Sequence, residues 1–233
     1  MRAFSGRLGF SCLLALILLP ARAAFAAGDL KATLAKLDAA AANFHTTTAD
    51  FEFDSIQTEP VYDKDVQKGV VHYKRGGSNF QMGVHITDVN GQNVPKVIVC
   101  CQDGTVQLYE QKLNQVTRLS KLSQYQSWFM LGFGASGKEL DERWNITDSG
   151  SESINGVKTE KLEMVPKDPA VRKNVPKVTL WMDLDRGVSV KQIFDEGDGQ
   201  QRICIYSNFK MNESLPSDAF TFKTDKKTTF VNR

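Results

Sequence analysis

Three histidines are the side chains in this sequence best suited to acid–base or metal chemistry. His72 and His85 each lie in a stretch where polar and apolar residues alternate, and beside Asp88 they could form an acid–base pair or bind a metal. Such polar neighbours are common across the strands of any sheet, which favours a structural role. His45 follows a helical pattern and has no partner nearby in the sequence. We therefore expect no catalytic residue, no metal and no cofactor, and a hydrolase using His72 or His85 is the weakest of three hypotheses.

A glycine-rich segment, Gly132-Phe133-Gly134-Ala135-Ser136-Gly137, matches the fingerprint of dinucleotide-binding proteins. In those proteins the glycines connect a strand to a helix within a parallel βαβ unit. Here they end an apolar segment, and the surrounding alternation predicts antiparallel hairpins. The match therefore predicts no nucleotide site.

Residues 1–26 have the pattern of a cleaved secretory signal peptide. Arg2 and Arg7 precede an apolar run at 13–19, and Ala24-Phe25-Ala26 supplies the small-x-small site for cleavage between Ala26 and Ala27. The alternative, a membrane anchor, needs about 20 apolar residues, and this run is shorter. The mature protein is expected outside the cytoplasm as a single domain over 27–233.

Net charge and cysteine content restrict the partners and the disulfide bonds that this protein can have. Removal of three leader arginines takes the formal net charge from +2 to −1, so nucleic acid is not an expected partner. Cys100, Cys101 and Cys204 remain, and at most one intramolecular disulfide can form among them. A bridge from the Cys100–Cys101 pair to Cys204 and three unbridged buried thiols are both compatible with the sequence.

The periodicity of apolar residues predicts one helix followed by a large sheet. Asp29 can cap a helix whose apolar residues recur from Leu30 to Phe44 at helical spacing. From Thr48 the period changes to two, and we count about eleven strands joined mostly by short turns. A second apolar segment, 122–133, is expected to form a short helix or lid. The predicted fold is α+β: a curled antiparallel sheet or incomplete β-barrel, covered by the two helices.

A curled sheet of this size encloses more volume than its own side chains easily fill. An apolar cavity could hold an acyl chain, because each buried methylene contributes about 0.8 kcal/mol. An ordinary packed core is the alternative for each residue taken singly. Val71 and Ile203 are also placed on the inner face of the sheet, and Met130 in the mid-chain apolar segment. The expected lipid-binding residues are Phe51, Phe53, Tyr73, Phe80, Met82, Val84, Trp128, Phe129, Leu131, Leu180 and Met182.

The order of these parts resembles the periplasmic outer-membrane lipoprotein carrier family, the LolA-like proteins. The resemblance covers nearly all of the mature chain in short motifs. They are Ala49–Phe53, Gly69–Arg75 leading to Phe80, Val97–Val99 followed by Asp103–Tyr109, Asn114–Thr117, Val178–Asp185, Val190–Ile193, and Leu215-Pro216 with Phe220–Phe222.

The resemblance implies a periplasmic, non-enzymatic carrier that shields lipoprotein acyl chains or lipids. Its implied partners are an inner-membrane release complex and an outer-membrane acceptor. In the family an Arg-Pro pair and a nearby Phe govern closure and release of the lid. Arg75 and Phe80 match this pattern, whereas Gly76 stands where the family has proline. The second hypothesis is a lipid-sensing or regulatory interaction module on the same fold, with the exposed basic proline loop around Lys167–Lys177 as its contact surface.

Overall fold

A computed structural model describes residues 28–76, 79–100, 105–119 and 131–233. The predicted signal peptide with its cleavage site at Ala26 and Ala27, Met130, and the predicted lipid-binding residues Trp128 and Phe129 lie outside the described residues. Within these ranges, no helix has both the length and the apolar character needed to span a bilayer.

The described residues form one twelve-stranded sheet with three α-helices and a 3-10 turn at Gln111–Leu113. The helices are α1 (Leu30–Ala42), α2 (Gly137–Arg143) and α3 (Pro169–Asn174). The strands are β1 (Thr46–Gln57), β2 (Asp63–Gly76), β3 (Asn79–Val89), β4 (Gln92–Cys100), β5 (Val106–Glu110), β6 (Gln115–Leu119), β7 (Trp144–Ile154), β8 (Val157–Pro166), β9 (Lys177–Asp183), β10 (Val188–Gly197), β11 (Gln200–Met211) and β12 (Thr229–Asn232).

The strand order is β12-β6-β5-β4-β3-β2-β1-β11-β10-β9-β8-β7. Ten pairs are antiparallel, and only β12 runs parallel to its neighbour β6. Because β1 pairs with both β2 and β11, the early and late hairpins join into one open, curled sheet. The predicted α+β class and antiparallel curled sheet are confirmed. β12 was not predicted, because Thr229–Asn232 is short and lies beyond the resembling motifs.

Strands β7–β9, together with α1 and α2, form what we call the filled half of the sheet. The Asp29 carboxylate caps α1 by accepting from the Ala32 amide at 3.2 Å. Leu37 of α1 belongs to the same buried cluster as Leu180 and has no exposed surface. The Thr33 hydroxyl donates to Asp148 of β7 at 2.7 Å, which fixes α1 against the edge of the sheet. The first helix therefore covers only part of the concave face.

The C-terminal residues 213–228 cross the convex face as a strap. The Ala219 carbonyl lies 3.3 Å from His85 Nε2, and Phe222 stacks on Tyr109 with ring centroids 5.1 Å apart. A side chain at Gly83 would collide with this strap, because a Cβ there would lie 1.7 Å from the Ala219 oxygen. His72 is buried on this side of the sheet rather than exposed on a polar face, and its ring centroid is 5.4 Å from that of His85.

Two further expectations need correction. Cys204 is a free, buried thiol, whereas Cys100 is disulfide-bonded, so no bridge joins them. The segment Lys167–Lys177 is not an irregular loop, because its residues Pro169–Asn174 form α3. Asp168 caps this helix by accepting from the Ala170 amide at 2.8 Å, with proline in the first turn.

Candidate ligand-binding cavity

The concave face of β10, β11 and β1–β4, which we call the open half, holds a cavity of about 530 Å³. This volume lies within the range of about 300–1,000 Å³ that is usual for small-molecule sites. Its lining residues are Phe51, Phe53, Gln67, Val71, Tyr73, Met82, Val84, Ile86, Ile98, Asn174, Val175, Gln192, Phe194, Glu196, Arg202, Cys204 and Tyr206. Most are apolar or aromatic, so the cavity suits a hydrocarbon ligand.

Five of the predicted lipid-binding residues line this cavity: Phe51, Phe53, Tyr73, Met82 and Val84. Leu131, Leu180 and Met182 instead belong to the packed core of the filled half. Phe80 is buried beside Tyr73, with ring centroids 5.6 Å apart, and is not among the lining residues. The structure therefore brings about half of the predicted set together, and the role of these residues in binding lipid stays a prediction.

Sequence reasoning missed several lining residues, among them Ile98, Phe194 and Tyr206. On β11, the prediction placed Ile203 inside. The lining residues are Arg202, Cys204 and Tyr206, so the opposite face of this strand points inward. Both faces of β11 carry apolar residues, and alternation alone therefore could not select the inner one.

One end of the cavity is closed by residues 131–137, which we call the plug. Phe133 is fully buried and stacks on Tyr73, with ring centroids 3.9 Å apart. It also meets the edge of the Tyr206 ring at 4.9 Å. Offset and edge-to-face aromatic pairs contribute about 0.5–1.5 kcal/mol beyond area burial. Phe133 thus seals this end with three aromatic rings in contact.

The plug is held to β10 by its backbone. The Ser189 amide donates to the Gly132 carbonyl at 2.7 Å, and the Gln192 side-chain amide donates to the Leu131 carbonyl at 2.7 Å. Gly134 has φ +65°, and a Cβ there would lie 2.5 Å from the Phe44 ring. The glycines that match a nucleotide fingerprint therefore permit close packing of the plug, and the neighbouring strand pairs are antiparallel.

Arg75 connects the open half to the plug. Its guanidinium donates to the Gly134 carbonyl and forms an ion pair with Glu139 Oε1 at 2.7 Å. Glu139 also completes a capping box with Ser136 at the start of α2. Partial burial raises the pKa of Glu139, but hydrogen bonds from the Ser136 amide and from Arg75 outweigh it and lower the pKa below its usual value. Arg75 thus contacts the plug, and its role in closing or releasing a lid stays a prediction.

The polar groups deep in the cavity wall are neutral. Burial raises the pKa of Tyr73 and of Tyr206 well above its usual value, and it raises the pKa of the Cys204 thiol to about 12. The two hydroxyls and the thiol interact with one another, which satisfies them without charge. Cys204 is therefore an unreactive thiol at neutral pH.

The other end of the cavity is open and polar. Gln67, Asn174, Glu196 and Arg202 lie there, close to the β10–β11 turn. The β1–β2 hairpin reaches the same end, because the Thr58 amide donates to the Gly199 carbonyl at 2.9 Å. Across residues 28–76, 79–100, 105–119 and 131–233, no three His, Cys, Asp or Glu side chains are grouped closely enough to hold a metal ion.

No family model matches this chain. Among curated proteins, the uncharacterized protein MJ0687 of Methanocaldococcus jannaschii is 27% identical over 127 residues, or 54% of this chain. The chain spans about a third of that relative, since the match covers 35% of its length.

Matches to solved structures cover more of this chain than the match to this curated relative does. A chain in the complex of Pseudomonas aeruginosa MucA and MucB matches 84% of this chain with a TM-score of 0.50 and 12% identity, and the match covers 62% of that chain. The LolA superfamily protein NE2245 of Nitrosomonas europaea is 18% identical over 84% of this chain and 99% of its own, with a TM-score of 0.41. Mycobacterium tuberculosis lipoprotein LppX is 16% identical over 81% of this chain and 98% of its own, with a TM-score of 0.48. At these identities the likeness concerns the fold alone, and the function has to be argued from the site.

Proposed function

We propose that this protein is a periplasmic carrier that holds the acyl chains of lipoproteins or lipids in the open-half cavity for transfer to the outer membrane. The observation that supports this most is the apolar cavity that the described residues leave on the concave face, with Phe133 packed at one end and polar side chains at the other. Transfer of an acyl chain from water to such a surface is favourable by about 0.8 kcal/mol per methylene. The carrier would catalyse no reaction, and its partners would be acylated cargo, a release complex and an acceptor.

Two adjacent residues of β4 supply a matched test. Ile98 lines the cavity, and Val97 points to the opposite face because side chains alternate along a strand. Ile98→Glu should abolish co-purification of lipid, since an isolated carboxylate in an apolar cavity is strongly unfavourable. Val97→Glu should retain it. The readout is mass spectrometry of protein isolated natively from the periplasm and then extracted with organic solvent.

Two results would contradict the carrier proposal. The first is wild-type protein that carries no lipid and takes up none when diacyl lipid or acylated peptide is added. The second is equal lipid retention in both β4 variants, which would mean that the cavity is not where lipid binds. Circular dichroism of each variant would establish that the fold is retained.

A second candidate is a regulatory module that binds another envelope protein. The similarity to a chain of the MucA–MucB complex supports it, because that structure holds two proteins together. Its contact surface would be the basic segment Lys167–Lys177, whose helix α3 ends beside the cavity mouth at Asn174. Affinity capture from envelope extract separates the candidates: a stoichiometric, salt-resistant protein partner supports the module, and transient contact with lipoproteins supports the carrier.

A further inference from the structure

The cavity is apolar at its closed end and polar at its open end. Its closed end is built from Tyr73, Phe133 and Tyr206, all buried. Towards the open end, the inward positions of β11 run from Tyr206 through Cys204 to Arg202, and β2 contributes Gln67. A pocket with an apolar interior and a few polar groups at its mouth is complementary to an amphiphile. The acyl tail of such a ligand would lie in the interior and its polar head at the mouth.

Arg202 is the cation of this mouth. Its side chain is 51% exposed and forms an ion pair with Glu196, in which Nε lies 2.9 Å from Oε1. In the part of the chain that the structure describes, its two terminal Nη groups have no protein acceptor. The ion pair with Glu196 therefore orients the guanidinium while leaving its fork of N–H donors available.

Such a fork matches one class of head group. A guanidinium binds carboxylate and phosphate oxygens through two parallel N–H···O bonds, which are charge-assisted and stronger than neutral hydrogen bonds. Half exposure keeps Arg202 hydrated in the empty protein, so the site carries no large cost of burying a charge.

We propose that the open end of the cavity is a head-group site, in which Arg202, positioned by Glu196, binds the phosphate or carboxylate of an amphiphile whose acyl chain fills the cavity. The inference rests on the proposed carrier function and narrows its cargo to amphiphiles with an anionic head. Glu196 acts through Arg202 and is a positioning residue.

The test compares three amphiphiles with the same palmitoyl chain: palmitate, palmitoyl lysophosphatidic acid and neutral monopalmitoylglycerol. Their affinities are measured by titration calorimetry below the micelle concentration, together with inorganic phosphate alone. The wild-type protein should bind at least one anionic amphiphile about tenfold more tightly than the neutral one, and added salt should reduce the difference. The two anionic arms distinguish carboxylate from phosphate heads.

Arg202→Gln should remove the anionic preference, so that the anionic and neutral amphiphiles bind with similar affinity. Arg118→Gln is the matched control, because Arg118 is exposed on β6, stacks over Phe230 and does not line the cavity. Glu196→Gln should reduce the preference partly.

Equal binding of neutral and anionic amphiphiles by the wild type, or a preference that survives Arg202→Gln, would overturn the head-group site and leave the carrier proposal standing. Binding of inorganic phosphate as tight as that of the lipid would also overturn it, since the site would then be a plain anion site. Failure of all three amphiphiles to bind would contradict the carrier proposal itself.

Discussion

The filled half and the open half of this sheet are both built from antiparallel strands with apolar side chains on the concave face, and they differ in what covers that face. In the filled half, α1 presents an apolar stripe to β7–β9, and Leu37, Leu162 and Leu180 have no exposed surface. In the open half, β10, β11 and β1–β4 present equally apolar side chains to a cavity of about 530 Å³. Phe51, Phe53 and Ile98 there are only partly buried.

The difference shows that apolar side chains on a concave face do not by themselves distinguish core from binding site. The deciding factor is the length and anchoring of one helix. α1 has thirteen residues and is fixed to the β7 edge through Thr33 and Asp148. It therefore covers one half, and the other half is without a covering α1 among the residues that the structure describes. If this interpretation is correct, substitutions in the filled half should lower stability, and substitutions in the open half should weaken ligand binding.

The largest effect on stability is expected in the filled half. Leu180→Ala removes a fully buried side chain and leaves a void, which should cost about 2–5 kcal/mol in urea denaturation. Ile98→Ala enlarges a cavity that already exists and should cost about 1 kcal/mol. Lipid bound per folded molecule should be unchanged in the first variant and reduced in the second. The reverse pattern would mean that the cavity belongs to the structural core.

The anchoring of α1 gives the next largest effect. Thr33→Val keeps the shape of the side chain but removes the donor to the buried Asp148 carboxylate, and the expected loss of unfolding free energy is about 1–3 kcal/mol. Thr33→Ser retains the hydroxyl and serves as the control. Hydrogen exchange should show α1 opening in the valine variant, with the amides of β1–β4 unchanged. Equal protection of α1 in both variants would show that this hydrogen bond does not fix the helix.

The architecture was predictable because its signals are local and repeated. The helix starting after Asp29 and the change to strands near Thr48 were placed close to where they occur, since period-3.6 and period-two patterns arise from burial of one face. The strap was not predictable: it depends on contacts such as His85 with Ala219, residues 134 positions apart. Those long-range contacts are why His72 is buried although its neighbours alternate as on an exposed face.

The candidate site was only half predictable for a related reason. Phe53 and Leu180 look alike in sequence, since each alternates with polar or mixed neighbours in a strand. Which of them faces a cavity depends on the position of α1, and that position is set by the contact between Thr33 and Asp148. Phe133 was placed in the predicted apolar segment 122–133 but not among the binding residues, because its contacts with Tyr73 and Tyr206 join residues far apart in the sequence.

A smaller effect should come from the ion pair that links the open half to the plug. Because the folded-state pKa of Glu139 is lowered, its contribution is present above the ordinary carboxyl pKa and is lost as pH falls through the folded value. Glu139 is 43% exposed, so solvent screening limits the pair to about 0.2–1 kcal/mol. Glu139→Gln should therefore lower stability at pH 7 and make little difference at pH 3. A stability deficit that persists unchanged at pH 3 would contradict this assignment.

The smallest effect is expected on the convex side of the open half, at His72. Burial, reinforced by the neighbouring His85, lowers the pKa of His72, while Asp218 opposes the shift. The unfolded chain then binds a proton at a higher pH than the folded one. The contribution of His72 to stability should be fully present above the unfolded pKa of about 6.5 and should decline as pH falls towards the folded value.

His72→Gln should flatten the slope of unfolding free energy between pH 7 and pH 5, whereas Leu180→Ala should shift the whole curve and leave that slope unchanged. An identical slope in wild type and His72→Gln would mean that the strap holds His72 without perturbing its titration, and that acid sensitivity arises elsewhere in the sheet.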